Sequence, residues 1–338
     1  MACKGSGVRL PSAPRKSKLR KIGERKVDTV TIPDRWSAAN LPDLSGKRFL
    51  ITGATSGIGL AAATELARRN AKVIITARSA AKSEAAKKQI GPGLVEVLEL
   101  DLTDLASVKK AAESISDDLD VLILNAGVMA TPFAKTKDNF ELQMGTNHLG
   151  HFAFAGLLHQ KVRERMVVVS SFVHRMGNFG DNSQIAIKDI CLGIGKYQPW
   201  AAYSASKLAN LLFVAELERL RIQNNWSFKP IAVHPGYSNT NLQGVAPQMK
   251  GNKLEAQVIG GMNSIFAQSA ARGALPTLCA SVFSDLMGGS FIGPNGLMEM
   301  RGYPKLTRAR ALAYDQTLAR NLWEVSEELT GIKWLKNA

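Results

Sequence analysis

Tyr203-Ser204-Ala205-Ser206-Lys207 sets a phenol and an ammonium four residues apart at the head of an amphipathic segment. On a helix that spacing puts both side chains on one face. A phenol titrates near about pH 10, and a neighbouring ammonium favours the phenolate, so the pair is expected to make Tyr203 a usable acid/base for a carbonyl/alcohol couple. Ser170-Ser171 closes an apolar run upstream. A hydroxyl there, with Ser171 preferred on strand parity, would polarise the reacting oxygen. Asn147, in Thr146-Asn147-His148-Leu149-Gly150-His151, offers a buried amide that would hold a water linking Lys207 to solvent.

A second group of residues speaks for a phosphate-bearing ligand. Thr52-Gly53-Ala54-Thr55-Ser56-Gly57-Ile58-Gly59 follows an apolar run and opens a helix-period segment. Gly53 would allow a tight turn, Gly57 a close backbone approach to a pyrophosphate, and Gly59 close helix–strand packing, with Thr55, Ser56 and Ile58 lining the turn. The alternative is a plain structural turn. No acid stands just past the next strand, where ribose hydroxyls are usually held; Arg78 stands there instead and would pair with a 2′-phosphate. NADP(H) is therefore the expected cofactor, with NAD(H) as the alternative and a solvated Arg78 as the bland reading. Asp101 and Leu102 after the third strand, and Asn125-Ala126-Gly127 after the fourth, fall where strand ends meet such a ligand, although capping and turn chemistry would also account for them.

The elements needed to position these groups alternate along the chain. Apolar runs at 48–52, 72–76, 95–100, 121–125, 166–171 and 230–234 read as strands, separated by helical periodicity at 57–69, 80–90, 104–116, 138–163 and 201–223. That order predicts an α/β, Rossmann-like doubly wound parallel sheet flanked by helices on both faces, in a single domain over 47–331. Residues 27–46 form a lead-in, segments near 172–199 and 237–268 are substrate-loop insertions, and a last helix is expected at 307–328.

Composition narrows the classes further. The 338 residues are 45% hydrophobic, enough for a core. Cys3, Cys191 and Cys279 are too dispersed for a disulfide framework or a metal cluster, and a reducing cytoplasm fits. No uncharged run of membrane-spanning length and no apolar leader region is seen. The net charge is +15, of which residues 1–26 carry +8. That segment reads as a disordered basic tail, for which no nucleic-acid role is expected. Its stretch Gly7–Pro14 can be encoded by codons containing GTTCGACTCCC, a string like the end of a tRNA gene. Two readings stay open: a flexible arm, or a mis-assigned start with the native one near Val27, which N-terminal sequencing decides. His148 and His151, three apart, lack an evident third ligand, so no metal is expected; His174, Trp200 and Tyr237 are candidates for the pocket wall.

Taken together, the Thr-Gly-x-x-x-Gly-Ile-Gly turn, Asn125-Ala126-Gly127, Asn147, Ser171, Tyr203/Lys207 and Pro235-Gly236 with Thr240 resemble the short-chain dehydrogenase/reductase family over about residues 45–330. The stretches 147–152, 203–212 and 322–331 are most similar to its retinol-dehydrogenase-like branch, here without that branch's N-terminal anchor, so a soluble bacterial type is expected. The resemblance implies Tyr203 as acid/base, Lys207 on the nicotinamide ribose, Ser171 on the carbonyl and Asn147 on a relay water. It also implies Pro235, Gly236 and Thr240 at the nicotinamide, with Thr240 on the carboxamide. It further implies dimers or tetramers through 138–163 and 201–223. Apolar Val128-Met129-Ala130 and Phe172-Val173 suggest a small lipophilic substrate and no membrane partner. The competing class is a catalytically silent cofactor sensor, against which the full Asn147/Ser171/Tyr203/Lys207 set speaks.

Overall fold

The computed structural model describes residues 30–91, 95–238 and 268–335. Eight strands form one sheet in the order β3-β2-β1-β4-β5-β6-β7-β8. They are β1 (Arg48–Ile51), β2 (Lys72–Ala77), β3 (Val95–Glu99), β4 (Leu119–Leu124), β5 (Val162–Val169), β6 (Lys229–Val233), β7 (Phe291–Pro294) and β8 (Pro304–Leu306). All neighbours pair parallel except β7 and β8. The chain winds outward from β1 to β3 and then returns to lay β4 on the other side of β1, so the order reverses between β1 and β4. The inner strands β1, β2, β4 and β5 are near-continuous in buried apolar residues, as strands covered on both faces must be, while edge strand β3 exposes Glu96, Val97 and Glu99.

Helices α1 (Gly57–Ala67), α2 (Ala80–Ile90), α3 (Leu105–Glu113), α5 (Gly150–Leu158) and α7 (Pro199–Asn224) make the crossovers. A short α4 (Leu142–Met144) runs through a π-helical turn (Gly145–Leu149) into α5. Outside the crossovers lie α6 (Gln184–Leu192), α8 (Ala270–Val282) and α9 (Gln316–Thr330). α1 packs on α8, α3 on α5, and α9 on α7, α6 and α5.

The doubly wound architecture is as expected, with differences at its edges. β3 stops at Glu99, and Asp101 folds into a turn whose Oδ1 accepts from the Thr103 N–H (3.0 Å) and hydroxyl (2.8 Å). The cap of α3 is Asp104, not Asp101. β5 stops at Val169 and starts at Val162, which cuts the helix expected over 138–163 back to Leu158. The helix expected over 307–328 starts only at Gln316, because Asp315 caps it and 311–314 form a 3-10 turn. β7, β8 and α6 had no sequence signal strong enough to be read: two are strands of four and three residues, and α6 lies in a weakly patterned insertion.

Residues Thr31–Ala338 cluster as one unit, separate from Met1–Val30, and the basic tail and its start lie outside the described residues. Ile32, Trp36, Leu41 and Leu44 of the lead-in are buried. The helices expected to join copies of the chain are covered within it: Trp323 of α9 and Trp334 pack on Phe152 of α5 and Phe213 of α7 at ring distances of 5.0–5.8 Å. Among the described residues no helix is long and apolar enough to cross a membrane.

Candidate active site

β1 runs straight into the glycine turn. Gly53 (φ +67) and Gly57 (φ +59) are left-handed, a conformation that costs any other residue. Space is as strict as torsion here. A Cβ on Gly53 would lie 2.8 Å from the Ala126 Cα, and one on Gly59 would lie 2.5 Å from the Asn125 amide nitrogen. α1 then begins behind Ser56, whose side chain makes no capping bond, so its first N–H groups and the positive end of its dipole face the turn. Thr55 and Ile58 flank this opening.

Asn125-Ala126-Gly127 holds the turn from β4. The Asn125 amide donates to the carbonyls of Thr52 (2.8 Å) and Gly53 (3.3 Å), and the backbone N–H groups of Asn125 and Ala126 donate to the Thr52 hydroxyl at 2.9 and 3.0 Å. Thr52 completes a chain that sequence reasoning missed. His151 donates from Nδ1 to the Asn147 carbonyl (3.1 Å), which leaves Nε2 to accept from the Thr52 hydroxyl (2.8 Å). Burial drives the His151 pKa down to about 3, so the ring stays neutral and keeps these roles. His148, which turns instead to the Ser326 hydroxyl (2.9 Å), shares no ligand position with it.

Asn147 sits in the π-helical turn, an irregularity often found at functional sites. Its Oδ1 accepts from the Val128 N–H (2.8 Å), and its amide nitrogen donates to the Val128 carbonyl and the Ser206 hydroxyl, each at 2.9 Å. Both amide hydrogens are thus engaged. The side chain thereby straps the loop after β4 to α7.

α7 begins at Pro199, a residue suited to the first helical turn, and carries Tyr203 and Lys207 one turn apart. Tyr203 is 5% exposed, and Ser171, the serine preferred on parity, is the polar group that opposes the effect of burial on its phenol. Its neighbour Ser170 faces away and donates to the Lys207 carbonyl (2.7 Å). Lys207 Nζ donates to the Val169 carbonyl (3.1 Å) and lies 5.8 Å from the Tyr203 ring centre. Gly127 stands at the meeting point: a Cβ there would lie 2.9 Å from Asn147 Oδ1 and 3.5 Å from Lys207 Nζ.

The electrostatics correct one expectation. Burial, opposed by the Ser171 hydrogen bond, pushes the Tyr203 pKa up to about 12, and burial brings Lys207 down to about 8. The depressed phenol expected from the Tyr/Lys pair is absent, because the ammonium is aimed at the Val169 carbonyl and desolvation dominates. At neutral pH the phenol therefore keeps its proton.

The remaining candidates spread around this centre. Arg78 is exposed just beyond β2, with no side-chain hydrogen bond or ion pair among the described residues. Leu102 is buried, its carbonyl packed at Gly150. Pro235 and Gly236 follow β6; Gly236 is left-handed (φ +69), and a Cβ on it would meet the Met300 carbonyl at 2.4 Å. Thr240, like most of the expected lobe over 237–268, lies outside the described residues. His174 is fully buried and supports Ser171, donating from Nδ1 to the Ser171 carbonyl (2.7 Å), rather than lining an open wall. Trp200 is half-exposed with its ring 6.1 Å from that of Tyr203.

A doubly wound sheet with a glycine turn at its switch point, a left-handed cradle that side chains would fill, and a buried Tyr–Ser–Lys group beside it defines a dinucleotide-dependent oxidoreductase. The model of the short chain dehydrogenase family matches residues 47–251. The chain belongs to that family and acts on CH–OH groups with a nicotinamide dinucleotide. It is 35% identical over 308 residues to retinol dehydrogenase 13 of Homo sapiens, covering 88% of this chain and 87% of that one. It is 36% identical over 316 residues to retinol dehydrogenase 14 of Mus musculus, covering 86% and 87%. A solved structure of an uncharacterized protein from Mycobacterium Paratuberculosis superposes with a TM-score of 0.75 at 42% identity, over 89% of this chain and 99% of that chain.

Proposed function

We propose that the protein is an NADP(H)-dependent oxidoreductase that interconverts the carbonyl and alcohol forms of a small lipophilic substrate. The observation that carries this reading is the convergence of Tyr203, Ser171 and Lys207 at the carboxyl end of β5, beside the turn where Gly127 packs against Asn147 and Lys207.

When bound, the nicotinamide supplies or takes up the hydride. The protein's own groups do the rest. Gly53, Gly57 and the first N–H groups of α1 would take the pyrophosphate, and Arg78 the 2′-phosphate; Asp101, with one carboxylate oxygen outside its turn, would face the adenine. Lys207 would hold the ribose, and Pro235, Gly236 and Thr240 the nicotinamide end. Ser171 would donate a hydrogen bond to the substrate oxygen and hold it against Tyr203. In reduction Tyr203 would donate its proton to that oxygen; in oxidation it would receive one. A phenol with a pKa of about 12 is fully protonated at pH 7 and ready as the acid of the reductive direction.

Support for a lipophilic substrate comes from Phe133, Met176, Trp200, Leu297 and Met298. These side chains are exposed on the segments that follow β4, β5 and β7 and on the head of α7. Large exposed apolar groups gathered at one end of a sheet mark a binding face. The relatives' names point to retinol, an alcohol of that kind.

The test is NADPH oxidation against a panel of aldehydes, ketones and quinones. Turnover should appear with apolar aldehydes or ketones. The variant Tyr203→Phe should lose it by about a thousandfold while retaining cofactor binding. Full activity in Tyr203→Phe would refute the reading.

A further inference from the structure

The hairpin between β7 and β8 carries two consecutive non-glycine residues in the left-handed region, Met298 (φ +51) and Glu299 (φ +57). Such strain persists only where surroundings hold it. What holds it here is the Glu299 carboxylate, whose side chain is only 18% exposed. Oε2 accepts from His234 Nε2 (3.1 Å) and from the Arg175 guanidinium (3.3 Å), and Oε1 accepts from the Thr307 hydroxyl. The His234 hydrogen bond, foremost, holds the carboxyl pKa down near 2, so the group is charged throughout the working range.

The partners of Glu299 lead to both sides of the site. His234 is fully buried at the end of β6, and its tautomer follows from its contacts. Nε2–H faces the carboxylate, so Nδ1 is the acceptor, and it takes the Gly236 N–H at 3.3 Å. Gly293 is glycine for the same reason, since a Cβ there would lie 2.0 Å from His234 Nε2. The neighbouring Met300 carbonyl accepts the Tyr237 N–H at 2.6 Å, so the hairpin grips the turn after β6 twice. On the other side Arg175 belongs to the 3-10 turn capped by Ser171.

We propose that Glu299 is a positioning residue for the nicotinamide end of the site: through His234 it fixes the Pro235-Gly236 turn, and through Arg175 it ties that turn to the serine that meets the substrate. This rests on the reading that Pro235 and Gly236 face the nicotinamide. No chemistry passes through Glu299. Its loss frees the tautomer of His234 and leaves the Gly236 N–H without a fixed acceptor.

The experiment is a pair of binding titrations on the full chain. One probe is whichever of NADP+ or NAD+ the wild type binds more tightly; the other is the matching adenosine diphosphoribose, with or without its 2′-phosphate, which lacks the nicotinamide. Glu299→Ala should weaken the intact dinucleotide about tenfold or more, the scale of losing a charged buried hydrogen bond, and leave the nicotinamide-free probe unchanged. Glu299→Gln keeps an acceptor for His234. It should shift the same ratio less, and it carries the test if the alanine variant does not fold. Equal weakening of both probes, or weakening of neither, overturns the proposal. A wild type that binds neither dinucleotide would overturn the cofactor reading itself, and the proposal with it.

Discussion

Between β1 and β4 the site is made of backbone, whereas beyond β5 it is made of side chains. On the first side Gly53, Gly57 and Gly59 set the shape, and even Asn125 spends its amide on carbonyls of the turn. There only Thr52 reaches beyond the adjacent strands, through its hydroxyl to His151. On the second side Ser171, Tyr203, Lys207, His234 and Glu299 come from four separate segments, and Lys207, His234 and Glu299 are oriented by hydrogen bonds to other segments. A ligand's phosphates are the same whatever the substrate, so a backbone cradle suffices. A substrate face must be adjustable, and side chains on loops can change without rebuilding the sheet.

The comparison breaks hardest at Gly53. Gly53→Ala adds one carbon, which must sit 2.8 Å from the Ala126 Cα in a backbone held at φ +67. The turn and the 125–127 segment cannot both stay in place. We expect dinucleotide affinity to fall by about a hundredfold or more and stability by about 1–3 kcal/mol. Gly46→Ala is the matched control, with a similar φ of +81 but nothing within 4 Å of the added carbon. It should cost about 1 kcal/mol of stability and leave binding alone. Equal loss of binding in both variants, measured by calorimetry, would show that the cradle is not set by close packing.

That contrast also explains what the sequence disclosed. The glycine turn, Asn125-Ala126-Gly127 and the Tyr203/Lys207 pair are local patterns, so their place at strand ends and on one helix face could be read directly. Ser171 was separable from Ser170 because strand parity sends neighbours to opposite sides, and the two hydroxyls do part ways. The Thr52–His151–Asn147 chain and the His234–Glu299 pair could not be read. Their partners lie 99 and 65 residues apart and meet only once the sheet has formed. The π-helical turn at Gly145–Leu149 has no periodicity distinct from the helix around it, so the orientation of Asn147 was not legible either. The Tyr203 pKa is not legible either, because spacing shows a neighbour's charge but not how deeply both groups are buried.

The seam between the two sides should open with acid. His151 and its neighbour His148 both titrate near pH 3 in the folded chain because they are buried, against about 6.5 when exposed. Between those values the unfolded chain binds more protons than the folded one, so stability falls as pH drops below about 6.5 and is restored as it rises. At pH 5 each histidine should remove about 2 kcal/mol. Protonated His151 would also turn Nε2 into a donor and lose the Thr52 hydroxyl bond. Urea unfolding at pH 8 and pH 5 measures the drop, and a fall smaller than that of one histidine would contradict the buried, neutral assignment.

The smallest effect is expected at Arg78, the one side chain on which the backbone-built side would rely for choosing between dinucleotides. Its guanidinium is exposed at the end of β2 and engages no other described residue, so removing it should disturb nothing but the ligand. A single solvent-accessible charge-assisted pair is worth on the order of 1–2 kcal/mol. Arg78→Ala should therefore raise the KM for NADPH about tenfold and leave that for NADH unchanged. Because the pair faces water, the gap between wild type and variant should shrink as salt rises and shortens the screening length. Equal changes for NADPH and NADH would move the specificity elsewhere. A gap indifferent to salt would place the phosphate in a closed pocket, and the first side of the site would then also depend on side chains from distant segments.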